Sequence, residues 1–171
     1  MRRVDTKKLA TLSILISVAM ILSYVESLIP PLVAVPGVKL GLSNIATVFA
    51  LYTLGAPSAV TVSIVRVLLS ALLFGNFVSL IYSISGAILA LAFMILLRRF
   101  SPFSSVGVSV VGGVAHNVGQ IIAACLVMES AAIALYLPPL IISGTVAGVA
   151  IGIVSGILTK KTEKYIKKGN R

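Results

Sequence analysis

The chain has 171 residues, of which 58% are apolar and only 11% are charged, and its formal net charge is +10. Soluble domains carry roughly 25% charged residues, so this composition excludes a soluble globular enzyme and a disordered chain. It predicts a polytopic membrane protein. The single cysteine, Cys125, excludes a disulfide framework and a cysteine metal site.

Six apolar segments separated by turn residues predict an all-α protein, a single membrane domain over 1–171 with six transmembrane helices. A bilayer core about 30 Å thick needs roughly 20 apolar residues per helix. The predicted spans are, in chain order, 9–28, 40–54, 58–74, 78–97, 106–128 and 135–158. Pro57 is expected at the start of the third span, where its missing N–H costs nothing. Pro138 and Pro139 lead into the sixth.

The positive charge is concentrated at the ends of the chain, with ten of the fourteen Lys and Arg residues in two short tails. This placement argues against nucleic-acid binding. Together with Arg98 and Arg99, twelve basic residues fall on one side of a six-span topology. Because cytoplasmic loops are enriched in Lys and Arg, we expect a multi-pass plasma-membrane protein with both termini in the cytoplasm. Lys39, in the first outer loop, and Arg66, in the third span, are the exceptions.

Arg66 is a candidate functional residue because a charge in the middle of a span is costly. Arginine stays protonated in proteins, so Arg66 needs an anionic partner or a wet cavity. Glu26, near the outer end of the first span, is the obvious internal partner. Two interpretations therefore stay open: a buried ion pair between Arg66 and Glu26, or an Arg66 that faces an anionic ligand.

A second polar cluster lies at mid-depth in the fifth span, at His116, Asn117 and Gln120. His116 and Gln120 are four residues apart and share one helix face, whereas Asn117 points about 100° away. Single polar residues in such helices often join neighbouring helices by hydrogen bonds. Three within five residues favour a ligand-binding or pore-lining role. One histidine without nearby carboxylates predicts no metal site.

The predicted outer mouth of the bundle carries further candidate ligand-binding residues. Lys39 lies in the first outer loop, Asn44 at the outer start of the second span, Asn76 in the turn after the third, and Tyr82 one turn into the fourth. Taken singly, each is better explained as a solvated loop residue or a helix cap than as a ligand contact. Taken together with Glu26, Arg66 and the fifth-span cluster, they predict a ligand site open to the outside.

Small residues recur on two of the predicted helices. The sixth span has glycines at every fourth position, Gly144, Gly148, Gly152 and Gly156. Such a stripe permits close helix approach, either inside the bundle or against another membrane subunit. The first span has a weaker version, in which Ser13 is paired with Ser17, and Ala19 with Ser23.

The sequence lacks the residues that several enzyme classes require. It contains no phosphate-binding loop, no HExxH and no CxxC motif, so we expect no ATP hydrolysis by the chain itself. Its only aspartate is Asp5 in the amino-terminal tail, which argues against magnesium-dependent prenyl transfer. We therefore expect a protein that is not an enzyme and that holds neither metal nor cofactor.

Three motifs resemble one known family over nearly the whole chain. They are the stretches 36–45 (PGVKLGLSNI), 75–83 (GNFVSLIYS) and 116–120 (HNVGQ). They resemble the Gx transporter family, often labelled heptaprenyl diphosphate synthase component I. That family is similar to the substrate-binding S components of energy-coupling factor (ECF) transporters.

The resemblance implies a six-helix S component that binds a small molecule from outside. Its partners would be a transmembrane coupling subunit and two cytoplasmic ATPases. It also implies docking through small residues of the first helix, here Ser13 and Ser17, or Ala19 and Ser23. Two other interpretations stay open: a non-catalytic membrane subunit of isoprenoid or quinone synthesis, and an assembly component of a membrane redox system.

Overall fold

The computed structural model describes residues 6–29, 41–100 and 103–169, and it is an all-α bundle, as predicted. Five of its helices are long and apolar enough to cross a membrane. Within the described ranges there is no strand. The helices are α1 (Thr6–Ser27), α2 (Asn44–Thr53), α3 (Ala56–Phe74), α4 (Phe77–Phe100), α5 (Ser105–Val127) and α6 (Leu137–Gly169), with a 3₁₀ helix at Ala131–Tyr136 before α6.

The second helix is shorter than the predicted span 40–54, because α2 begins only at Asn44. Its 10 residues are too few for the bilayer and rise about 15 Å, roughly half of the hydrocarbon core. The amino end of α2 therefore lies inside the bundle and not at its surface. Gly41, Leu42 and Ser43 form a turn before it, in which the Asn44 amide donates to the Gly41 carbonyl at 2.9 Å.

Local signals set several helix ends where the sequence places them. Pro57 lies in the first turn of α3, as predicted. The Asn76 side chain accepts a hydrogen bond from the Ser79 amide at 2.8 Å and so caps α4. The Ser104 hydroxyl caps α5 by accepting from the Gly107 amide. These three residues thus fix the starts of three long helices.

The glycine stripe of α6 packs inside the bundle against α5. A Cβ added at Gly148 would lie 2.6 Å from Cα of Val110, and one at Gly152 would overlap Cα of Val106. No side chain fits at such distances. The interpretation of the stripe as internal packing is therefore confirmed, and the stripe gives α5 and α6 the close backbone approach typical of small residues in membrane helices.

Polar contacts show which helix ends lie together. The Arg98 guanidinium donates to the Tyr52 carbonyl and stacks over the Tyr52 ring, while the Tyr52 hydroxyl donates to the Phe103 carbonyl. The ends of α2 and α4 and the start of α5 therefore share one end of the bundle.

Ser70 of α3 contacts Met20 of α1, and Phe74 packs on Tyr24, so α1 and α3 run in parallel.

The end of the bundle that holds the ends of α2 and α4 and the start of α5 is called the basic end. The described Lys and Arg residues other than Arg66 lie on segments that start or finish there. They are Lys7, Lys8, Arg98, Arg99, Lys160, Lys161, Lys164, Lys167 and Lys168. Large apolar side chains such as Leu72, Phe77 and Leu126 are exposed on the outside of the bundle. An apolar exterior with a charged end is consistent with a multi-pass membrane protein.

Candidate functional site

Arg66 lies ten residues into α3 and is buried, with 6% of its surface exposed. Its Nη1 donates to the hydroxyl of Ser43 at 2.6 Å. Its Nε and Nη2 are buried and have no hydrogen-bond partner among the described residues. Because an unpaired buried donor costs about 1–3 kcal/mol, and more when it is charged, this arrangement is unfavourable for folding alone.

Glu26 is also buried, and it lies in the last turn of α1. One of its carboxylate oxygens accepts a hydrogen bond from the Gly41 amide. The carboxylate also attracts the Arg66 guanidinium electrostatically. The two charges are thus coupled across the turn Gly41–Ser43, although the hydrogen bond of Arg66 goes to Ser43.

The amino end of α2 faces this pair of charges. Ser43 directly precedes the helix and is fully buried, and Asn44, its first residue, is buried as well. The first turn of a helix carries a partial positive charge and N–H groups without intrahelical partners. Arg66 and the start of α2 therefore form a positive region in the interior, partly balanced by Glu26. We call it the Arg66 site: Glu26, Gly41, Ser43, Asn44 and Arg66.

The fifth-helix cluster is divided between two interfaces. His116 and Gln120 face α4, since a Cβ added at Gly86 would lie 2.9 Å from the His116 Nδ1 and 2.9 Å from the Gln120 Cγ. Gln120 is fully buried, and neither its amide nitrogen nor its amide oxygen has a hydrogen-bond partner among the described residues. An amide that can both donate and accept, left unpaired in an apolar bundle, favours a ligand contact.

Asn117 faces the other interface. Its amide nitrogen donates to the Leu140 carbonyl of α6 at 2.7 Å, and the residue is 2% exposed. This contact joins α5 to the first turns of α6, which is the helix-joining role that was the alternative for single polar residues. The structure therefore separates Asn117 from His116 and Gln120.

The predicted outer-mouth residues do not form one group. Asn76 is exposed and caps α4. Tyr82 is 1% exposed and packs in a cluster with Ile121 and Leu140, close to the face that holds Gln120. Asn44 belongs to the Arg66 site. Lys39 lies outside the described residues.

The small residues of α1 divide between its two faces. Ser13 and Ser17 are exposed, and each hydroxyl donates to the carbonyl four residues earlier. Ala19 and Ser23 are buried, and Ala19 belongs to the apolar core. Of the two predicted docking pairs, only Ser13 and Ser17 are thus available on the surface of the described bundle.

A cavity of about 480 Å³ opens at the basic end, away from all the predicted ligand residues. It lies between Tyr52, the start of α5 and the last membrane turns of α6, with Lys160 and Glu163 at its rim. The sequence did not indicate it, because it depends on how α2 packs against two distant segments. Among the described residues no group of three His, Cys, Asp or Glu side chains could hold a metal ion.

Sequence reasoning missed Ser43 and Gly41, two residues of the turn before α2 that contact Arg66 and Glu26. Neither is charged, so neither stood out in an apolar segment. A signal was present, since both belong to the stretch 36–45 that carries the first family motif.

Comparison with known proteins identifies the family. A comparison with curated proteins finds no match, and neither does one with solved structures. The family model described as heptaprenyl diphosphate synthase component I matches residues 15–158. This range contains all six described α-helices, in part or completely, and both polar regions described above. Because the match covers well over half of its length, the chain belongs to the heptaprenyl diphosphate synthase component I family.

Proposed function

We propose that the chain is the membrane-embedded substrate-binding (S) subunit of an ECF-type importer. It captures a small molecule, anionic or related to isoprenoid or redox metabolism, from the outer side. The observation that carries this proposal is Arg66, a buried guanidinium inside an apolar bundle, two of whose nitrogens have no hydrogen-bond partner in the part of the chain that the structure describes. Such a residue costs stability, and a ligand that pairs with it offsets that cost.

The proposal makes the chain a binding protein and not an enzyme. With Asp5 as its only aspartate, the sequence offers no cluster of carboxylates to hold magnesium against a diphosphate. Energy for uptake would come from partners, a transmembrane coupling subunit and two cytoplasmic ATPases. Ser13 and Ser17, small and exposed on α1, are the residues proposed to contact the coupling subunit.

The charge distribution supports an orientation with the basic end in the cytoplasm. Both termini would then be cytoplasmic in the plasma membrane, and a ligand would approach the Arg66 site from the outer side. Single cysteines placed near Lys8 or Lys161, in a variant that lacks Cys125, test this orientation. Labelling of either position by an impermeant reagent in intact cells would contradict it.

A second function is favoured by the description of the family, which names a component of heptaprenyl diphosphate synthase. In that case the chain would be a non-catalytic membrane subunit that binds an isoprenoid and holds a soluble synthase at the membrane. The buried polar groups would serve the same ligand chemistry, but the partners would differ.

Purification of the tagged chain from its native membrane in mild detergent distinguishes the two functions. The importer predicts that a multi-helix membrane subunit and ATPases with phosphate-binding loops co-purify. A prenyltransferase with aspartate-rich motifs, in place of those ATPases, would contradict the importer and support the second function. The Ser17→Leu variant is the matched control, since it should lose the coupling subunit but remain folded.

A further inference from the structure

The nitrogens of Arg66 are not equivalent in this structure. Nη1 is bonded to Ser43, while Nε and Nη2 are buried without a hydrogen-bond partner among the described residues. Nε and Nη2 belong to one edge of the planar guanidinium, and their N–H bonds run nearly parallel. This edge matches two oxygen atoms of one carboxylate or phosphate group, which arginine binds in bidentate fashion.

The position of this edge adds a second attraction for an anion. Ser43, which holds Nη1, directly precedes the 10-residue helix α2, so the guanidinium lies at the amino end of that helix. Helix amino ends attract anions through their partial positive charge. Discontinuous membrane helices that end at mid-depth use this property to bind charged groups.

We propose that the Nε–Nη2 edge of Arg66, at the amino end of α2, is the subsite for an anionic group that presents two oxygens side by side, a carboxylate or a phosphate, on the ligand. This inference rests on the proposed function, because it names the chemical group that the substrate-binding subunit recognises. Ser43 acts as a positioning residue, since its bond to Nη1 fixes the plane of the guanidinium and leaves the other edge for the ligand.

Two properties of the site shape how the anion binds. The edge is sealed from solvent, so the anion reaches it only when the helices around it separate locally. Glu26 lies near enough to interact with Arg66 and would repel an incoming anion. Replacing Glu26 by Gln removes that repulsion but keeps a side-chain oxygen for the Gly41 amide, so this variant should bind the anion more tightly.

The test uses the purified full-length chain in detergent and three probes that share one apolar tail: octanoate, octyl phosphate and octanamide. Octanoate and octanamide differ in charge but hardly in shape. Binding is measured by calorimetry, and folding is checked by melting temperature. We expect an anionic probe to bind at least about tenfold more tightly than octanamide, as loss of a charge-assisted bond predicts. Whichever of octanoate and octyl phosphate binds more tightly identifies the anion as carboxylate or phosphate.

Two variants of Arg66 separate geometry from charge. Arg66→Lys keeps the charge but lacks the two-nitrogen edge, so it should lose about as much anion affinity as Arg66→Gln, again about tenfold. The double variant Arg66→Gln with Glu26→Gln repeats the measurement with both buried charges removed. Glu26→Gln alone should tighten anion binding.

Three results would overturn the subsite. They are an Arg66→Lys affinity within about twofold of wild type, octanamide binding as tightly as octanoate, and no binding of either anion by the wild type. The proposed function fails separately, through the partners that co-purify. Anion binding by the Arg66 edge in a chain that brings no ATPases would retain the subsite and reject the importer.

Discussion

The Asn117 amide nitrogen lies 2.7 Å from the Leu140 carbonyl oxygen, which ties the middle of α5 to the beginning of α6. Gly144 makes room for this contact, because a Cβ there would lie 2.8 Å from the Asn117 amide nitrogen. The donor that sequence reasoning assigned to a ligand is thus already used inside the bundle. This contact therefore indicates a packing role for Asn117, which its position within the span did not reveal.

Replacing Asn117 by Leu should lower the free energy of unfolding by about 1–3 kcal/mol, because the buried contact is lost and a branched side chain faces Gly144. Thermal melting in detergent measures this change, with Glu129→Ala, at an exposed position, as the control. Unchanged stability together with lost ligand binding would return Asn117 to the ligand site.

Gln120→Met should have the opposite effect on stability. Methionine has a similar length, and it removes two buried amide atoms that have no partner among the described residues. We expect stability to rise by about 1–3 kcal/mol while binding of the natural ligand weakens. Melting temperature and ligand retention are measured on the same preparation. A Gln120→Met variant that melts lower and retains the ligand would make Gln120 a structural residue.

Gly152→Ala should destabilise the bundle by about 1–3 kcal/mol, because the added Cβ would overlap Cα of Val106 and force α5 and α6 apart. Ala150→Val, two residues away on the exposed face of the same helix, is the matched control and should change little. The melting temperatures of both variants check this. Equal melting temperatures for Gly152→Ala and wild type would mean that α6 packs differently from the structure described.

Docking by α1 is tested by one exposed and one buried position. Ser17→Leu should abolish co-purification of the coupling subunit and leave the melting temperature unchanged, because Ser17 lies on the surface. Ala19→Leu should instead destabilise the chain, since Ala19 is fully buried in the core. If Ser17→Leu retained the coupling subunit, docking through this face of α1 would be wrong.

Much of the fold follows from the sequence because bilayer thickness restricts the length of apolar helices. The ends at Pro57 and Asn76 follow from local chemistry. The true start of α2 does not follow from the sequence, since the residues from Gly41 to Ser43 are as compatible with a helix as with a turn in an apolar segment. The left-handed backbone at Gly41, with φ of 83°, fixes the turn and is set by the contacts around it.

The candidate site was predictable in part. Arg66, Glu26 and Gln120 could be chosen because a polar side chain within a span is costly. The contact partners of these residues could not be predicted, because the sequence does not show how α1 packs against α3. Ala19 and Ser23 illustrate the same limit: four-residue spacing identifies one helix face, but only packing decides that this face is buried.

The central claim is that the chain binds a small molecule through Arg66, and native mass spectrometry of the purified protein tests it most directly. The wild type and Glu129→Ala should carry the same additional small mass, whereas Arg66→Gln and its double variant with Glu26→Gln should lack it and still fold. A wild-type chain without any bound small molecule, or an Arg66→Gln variant that retains it fully, would contradict the account.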